Sequence, residues 1–296
     1  METILETDKL TKRFGRFEAV RDLSVRVPRG SICAFLGQNG AGKSTTLRML
    51  LGMMRPTEGS GCIFGLRIDD EVDSVRIRER VAFVAEDKRL YDYMTVRQIV
   101  RFTKSFFPRW REGLENDLLR RFELPLDRKI RKLSKGMRTK LALLLAFARG
   151  SEFFILDEPT EGLDPVATEM VLQAVVSLAA EGATVFFSSH QIAEVEQIAD
   201  HVLMIHKGKL VLDSPLDCIK DEYRQVQAVI NRPVQDRDFE LDGVERVYVD
   251  GSTVSLIVSH NVEDVMNRAH ELNAISVEVA PLTLKEIFLE TVKARS

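Results

Sequence analysis

Along this chain, unbroken apolar runs alternate with stretches in which apolar positions return every three or four residues. Runs at 23–27, 31–36, 81–84, 153–156, 184–188 and 201–205 are rich in β-branched and aromatic side chains and read as strands. Three of them (SICAFLG, EFFILDE and ATVFFSS) are almost continuously apolar. That is the pattern of a strand covered on both faces in a parallel sheet. Helical periodicity follows at 43–53, 137–149, 167–180 and 191–199. Strands alternating with helices predict an α/β core.

Strand signals vanish between residues 87 and 149, where 95–106 and 114–122 read as helices. An inserted helical lobe at about 87–150 is therefore expected. The character changes again after residue 212. Strand patterns at 227–230, 244–249, 253–258 and 275–279 and helical ones at 262–272 and 284–294 predict a small α+β appendage. The expected organisation is a core domain over 1–215 and an accessory unit over 216–296, with no internal repeat and no low-complexity linker.

Composition changes this picture little. With 296 residues, 45% hydrophobic and 29% charged, the chain has ordinary globular content. A net charge of −3 gives no global pull toward nucleic acid or an anionic membrane. Cys33, Cys62 and Cys218 stand far apart without a CxxC spacing, which argues against a disulfide framework or zinc site and fits a reducing cytosol. The acidic, mixed start METILETDKL predicts no signal peptide. The densest apolar stretch, 141–148, is too short to cross a bilayer, so work at a membrane requires docking on another protein.

The first chemical signal is Gly37-Gln38-Asn39-Gly40-Ala41-Gly42-Lys43-Ser44-Thr45, a G-x-x-x-x-G-K-[ST] match directly after a strand and opening a helix. Glycines let the backbone curl its N–H groups inward toward phosphate oxygens, and the helix N-terminus adds its positive dipole end. Lys43 supplies charge to the outer phosphates and the Ser44 hydroxyl can ligate Mg²⁺. ATP and Mg²⁺ are the cofactors this loop predicts.

The second signal is the apolar strand that ends in Asp157 and Glu158. Successive strand side chains point to opposite sides, so the two acids can take different tasks. One can hold the metal shell while the other orients and deprotonates the attacking water. Alone, two acids at a strand end are commonly turn formers. After a phosphate loop they become candidates for metal binding (Asp157) and catalysis (Glu158).

Leu133-Ser134-Lys135-Gly136-Met137 resembles the LSGGQ signature of ATP-binding-cassette ATPases. Ser134 and Gly136 precede an amphipathic helix, where a hydroxyl and free N–H groups favour an anion. The resemblance implies a P-loop NTPase cassette whose signature loop reaches across a dimer to the γ-phosphate on the partner's P-loop. It also implies that Phe14 stacks on adenine, that Glu161-Gly162-Leu163-Asp164 is the dimer-contacting D-loop, and that His190 is the switch histidine. The motifs run from Phe14 to His190, about two-thirds of the chain. Lys135 and Met137 depart from the usual Gly and Gln, and Glu161 from the usual Ser. Glu86 stands where the Q-loop Gln is expected and becomes a candidate metal ligand. The basic run at 128–140 overlaps the signature loop, and in an acidic chain it reads as a solvated or ATP-facing surface rather than a nucleic-acid patch.

The tail ending Pro281-Leu282-Thr283-Leu284-Lys285-Glu286-Ile287-Phe288-Leu289 resembles that of prokaryotic type-2 exporter ATPases. The expected role is therefore the ATP-hydrolysing subunit of a membrane transporter, an exporter. It would pair with a second copy or a similar cassette chain and sit on the cytoplasmic face through a separate membrane-spanning permease. The alternative is a soluble cassette ATPase acting on DNA or ribosomes. Such DNA-acting relatives place long coiled coils between P-loop and signature, whereas no sustained heptads occur here, and the chain has a single P-loop.

Overall fold

The computed structural model describes residues 2–232 and 234–294. The chain divides into two compact units, Met1–Asp213 and Ser214–Ser296.

In the first unit, the long strand β1 (Thr3–Phe14) pairs antiparallel with β2 (Phe17–Leu23), β3 (Arg26–Pro28) and β5 (Glu58–Ile63), and β5 pairs with β6 (Leu66–Arg67). A second sheet has the order β11-β10-β4-β9-β8-β7, from β4 (Ile32–Leu36), β7 (Val81–Val84), β8 (Phe153–Asp157), β9 (Thr184–Ser189), β10 (His201–His206) and β11 (Lys209–Pro215). The run from β10 through β4, β9 and β8 to β7 is parallel throughout. Every residue of β4, β8 and β9 is buried, as the unbroken apolar runs require.

Period-two alternation divides these strands between two packing faces. Cys33 and Phe35, Phe153 and Ile155, Phe186, and Leu203 and Ile205 join Ile4, Leu10 and Val20 of the antiparallel sheet in one core. Helix α1 (Lys43–Leu50) contributes Leu47, Met49 and Leu50 to the same core, and α2 (Glu71–Arg80) contributes Ile77. Residues of the opposite parity are equally buried. Phe154 meets Phe147 edge-on at 5.8 Å between centroids.

Phe147 belongs to the inserted lobe, which occupies the crossover between neighbouring strands β7 and β8. The lobe carries α3 (Val96–Lys104), α4 (Glu112–Arg121), a short 3-10 turn at Ile130–Lys132 and α5 (Lys135–Phe147). A full capping box starts α3: Thr95 accepts from the Gln98 amide while the Gln98 side chain accepts from Thr95. The crossovers are completed by α6 (Pro165–Ala180) and α7 (Ile192–Ile198).

The second unit contains α8 (Leu216–Glu222) and an antiparallel sheet of order β13-β14-β12-β15. Its strands are β12 (Arg224–Ile230), β13 (Val244–Asp250), β14 (Thr253–Val258) and β15 (Ala274–Pro281). Helix α9 (Val262–Glu271) buries Val265 and Ala269 in a core with Val226, Ala228, Leu256 and Val258, and α10 (Leu284–Ala294) ends the described chain.

Two expectations need correction. The strand read at 23–27 is broken, because β2 ends at Leu23 and β3 starts at Arg26. Buried Thr7 explains the break. Its hydroxyl donates to the Leu23 carbonyl at 2.9 Å and accepts from the Val25 amide at 3.0 Å, replacing ladder bonds at the crossing. Strands β1 and β5 and helix α2 are not predicted at all, because the apolar positions of β1 and α2 are diluted by charged, solvent-facing ones and those of β5 by glycine and serine.

Phe154 is 1% exposed, so Phe154→Ala removes a ring from a site with little room to relax. The expected loss is about 3–5 kcal/mol of unfolding free energy, read as a lower denaturant midpoint with unchanged slope.

Candidate active site

The phosphate loop joins the C-terminal end of β4 to α1, at the edge of the parallel sheet where α/β proteins place ligands. Two glycines are required by close neighbours. A Cβ on Gly37 would lie 2.6 Å from the Ile205 carbonyl oxygen. Gly42 has φ 111°, and a Cβ there would lie 2.5 Å from the Ala19 carbonyl oxygen. The loop is thus pressed between β10 and β2, with Gln38, Asn39 and Gly40 exposed at its tip and Ser44 and Thr45 half-buried. The β1–β2 hairpin that supplies Ala19 carries Phe14 near its turn, 47% exposed, with the Lys12 ammonium 5.4 Å from the ring centroid.

Lys43 folds inward. Its Nζ donates to the Gly37 carbonyl at 2.6 Å and lies 3.1 Å from Glu158 Oε1. The other oxygen of that carboxylate, Oε2, is 2.9 Å from His190 Nδ1. Three residues far apart in sequence therefore meet around one carboxylate that is 4% exposed.

Asp157 is the last residue of β8, and Glu158 leads into the turn that follows it. Glu158 has φ 47°, a left-handed conformation uncommon outside glycine, so its side chain leaves the strand alternation. Ser188, on neighbouring β9, secures both acids: its hydroxyl donates to Asp157 Oδ1 at 2.5 Å and accepts from the Glu158 amide at 3.0 Å. Beyond them, Glu194 Oε2 accepts from Thr160 at 2.8 Å and from Ser189 at 3.2 Å, tying α7 to this turn. Burial pushes the Glu194 carboxyl above its ordinary range, with the hydroxyls partly opposing. Sequence reading missed Ser188, Ser189, Thr160 and Glu194. The paired serines before His190 were the available signal for the first two, and nothing local marked the others.

The signature segment starts α5, where Ser134 accepts from the Met137 amide at 3.1 Å as N-cap. Gly136 faces the carbonyl of Gly162, which a Cβ would approach to 3.3 Å. Asp164 caps α6 by accepting from the Ala167 amide at 2.9 Å, a bond that holds its carboxyl below the usual range. Within the basic run, Lys135 pairs with Glu161 at 2.8 Å and Arg138 with Asp92 at 2.9 Å.

Exposed Glu86 lines a cavity of ≈ 520 Å³ that Asp157, Lys88, Lys135 and Glu161 also line. The structure thus brings Glu86 into the space that Asp157 faces. Among the described residues no group of three or more His, Cys, Asp or Glu side chains could hold a metal unaided. The oxygen donors Ser44 and Asp157 fit a hard cation such as Mg²⁺, which takes one or two carboxylates and completes its shell with substrate phosphates. No described helix is long and apolar enough to cross a membrane.

Known proteins are similar to this chain in sequence and fold. The family model for the ABC transporter matches residues 20–161. Over 264 residues the chain is 35% identical to the bacitracin transport ATP-binding protein BcrA of Bacillus licheniformis, covering 84% of this chain and 86% of that protein. A solved ATP-binding subunit of an ABC transporter is similar at TM-score 0.68 and 31% identity, over 74% of this chain and 92% of the other. A dimeric ATP-binding cassette in a post-hydrolysis state, bound to ADP and Pi, shares the fold at TM-score 0.64 and 23% identity, over 72% and 98%.

The raised Glu194 carboxyl generates a pH prediction. Its ordinary value is 4.5, and the folded value lies above it, so the folded state holds its proton to higher pH than the unfolded state does. Stability from this group is present below the ordinary value and falls as pH rises through the folded value. Glu194→Gln keeps an acceptor for Thr160 and Ser189 but cannot ionise. Relative to wild type, it should gain stability between about pH 4 and about pH 7, measured by denaturant unfolding at each pH. A constant difference across that range would contradict the assignment.

Proposed function

This chain belongs to the ABC transporter family as an ATP-binding subunit, an ATPase that powers transport, and from that premise we propose how its residues divide the work. The observation that carries the proposal is the convergence of Lys43 and His190 on the buried Glu158 carboxylate. The loop from Gly37 to Gly42 and the Lys43 ammonium cradle the phosphates of ATP, with the amides of Gln38, Asn39, Gly40 and Gly42 as donors, while the Gly37 amide donates to the Ser189 carbonyl at 3.2 Å and the Ala41 amide to the Gln38 carbonyl at 3.1 Å. Thr45 continues the loop into α1, and Phe14 stacks on adenine from the β1–β2 hairpin. Ser44 and Asp157 would hold Mg²⁺, with Glu86 lining the same cavity as Asp157. A bound ion would supply positive charge that offsets the charge of the outer phosphates. Glu158 takes the proton from the attacking water. His190, hydrogen-bonded to Glu158 Oε2, fixes the orientation of that carboxylate and stands beside the γ-phosphate.

The catalytic unit is a dimer in which Ser134, Gly136 and the loop ending at Asp164 face the partner's nucleotide. The dimeric cassette of the same fold supports this arrangement. The partner in the membrane is a permease, the cargo leaves the cell, and the subunit sits on the cytoplasmic face. The transport role in the name of the Bacillus relative supports the first of these. The second unit, with its own core and none of the nucleotide motifs, serves assembly or regulation.

Glu158→Gln tests the catalytic assignment. ATP binding should persist while turnover falls by about 10² or more, the scale of a lost positioned base. Near-normal hydrolysis would overturn it.

Glu86 supplies a separate test. A second carboxylate facing an anionic triphosphate repels it unless a cation lies between them. Glu86→Gln should therefore tighten ATP binding in EDTA and change it much less with Mg²⁺ present. Equal effects under both conditions would remove Glu86 from the metal site.

A further inference from the structure

The turn that leads out of β8 carries the left-handed Glu158 and is gripped from outside by two lysines. Lys88 comes from the segment after β7, two residues beyond Glu86. Its half-buried ammonium donates at 2.9 Å to the main-chain carbonyl of Glu158 itself. The turn's own bond to that carbonyl, from the Glu161 amide, is long at 3.3 Å. The lysine therefore supplies the shorter of these two bonds to the Glu158 carbonyl. Lys135, first residue of α5 and next to Ser134, pairs with Glu161 at 2.8 Å. Its stem lies along Gly162, φ 78°, where a Cβ would meet the Lys135 Cδ at 3.0 Å.

Neither lysine touches the Glu158 carboxylate, whose oxygens face Lys43 and His190. Both act on the peptide frame behind it. Burial lowers the Lys88 pKa, while Glu161, Asp157 and Glu86 favour its charged form. Lys135 and Glu161 are also two of the positions at which the chain departs from the motif pattern it resembles, and here each is the other's ion-pair partner. As an exposed pair they contribute little to stability. Their value lies in geometry.

We propose that Lys88 and the Lys135–Glu161 pair form a two-point clamp on the 158–161 turn that positions the Glu158 carboxylate for hydrolysis. The clamp ties that carboxylate to the segments bearing Glu86 and Ser134, so displacement of either segment alters the angle at which Glu158 meets its water. All three are positioning residues, and the proposal rests on Glu158 being the base.

The test uses steady-state ATP hydrolysis by the full chain, with ATP binding and thermal unfolding followed in parallel. Lys88→Met should lower kcat about tenfold while KM for ATP stays within about twofold, since ground-state binding does not depend on the clamp. Lys88→Arg, which keeps a donor for the carbonyl, should restore most of kcat. Lys135→Met and Glu161→Gln should each lower kcat, and the double variant should be no worse than the worse single one. The clamp is overturned if Lys88→Met keeps kcat within about twofold, or if its loss is matched by an equal loss of ATP affinity. It is also overturned if arginine fails to rescue, or if the Lys135 and Glu161 effects multiply independently. Glu158→Gln, measured alongside, separates the two failures. Normal turnover there removes the base, whereas a dead Glu158→Gln with an unaffected Lys88→Met removes the clamp alone.

Discussion

Burying a carboxylate to 4% exposure is costly unless neighbouring groups replace its lost hydration. Glu158 meets that condition with Lys43 against one oxygen and His190 against the other. Much of the surrounding architecture follows from holding those three groups together. Lys43 is placed by a loop wedged between Ile205 and Ala19, His190 by the end of β9, and Glu158 by a backbone turn that Ser188 stabilises. Each support comes from a different segment of chain. A local change in any of them therefore reaches the same carboxylate.

Parallel strand order makes this convergence possible. Strands β4, β9 and β8 are adjacent and point the same way, so their C-terminal ends deliver the phosphate loop, His190 and the acid pair to one edge. Full burial of the strands fixes their register through two packed faces, one against the antiparallel sheet and one against the helices. The helical lobe enters between β7 and β8. Lys88 and Glu86 therefore stand at one end of the insertion, while Ser134 and Lys135 open its last helix, α5. Lobe and acid turn are consequently neighbours without being consecutive.

What could be read from the sequence alone was whatever is encoded locally. The phosphate loop is legible because its pattern, Gly37 to Thr45, is made of consecutive residues. The strands β4, β8 and β9 are legible because burial on both faces keeps their central positions apolar, and the α9 and α10 periodicities locate two of the second unit's helices closely, though not α8. Strand β1 escaped because an antiparallel strand with one wet face carries many polar residues, and α2 because most of its surface is charged. Tertiary structure decided the rest: that Thr7 breaks the 23–27 run, that Ser188 serves both acids, and that Lys88 reaches the Glu158 carbonyl. A hydrogen bond between residues 70 positions apart leaves no periodic trace in the chain, since its partners are set by the packing of strands and not by sequence spacing.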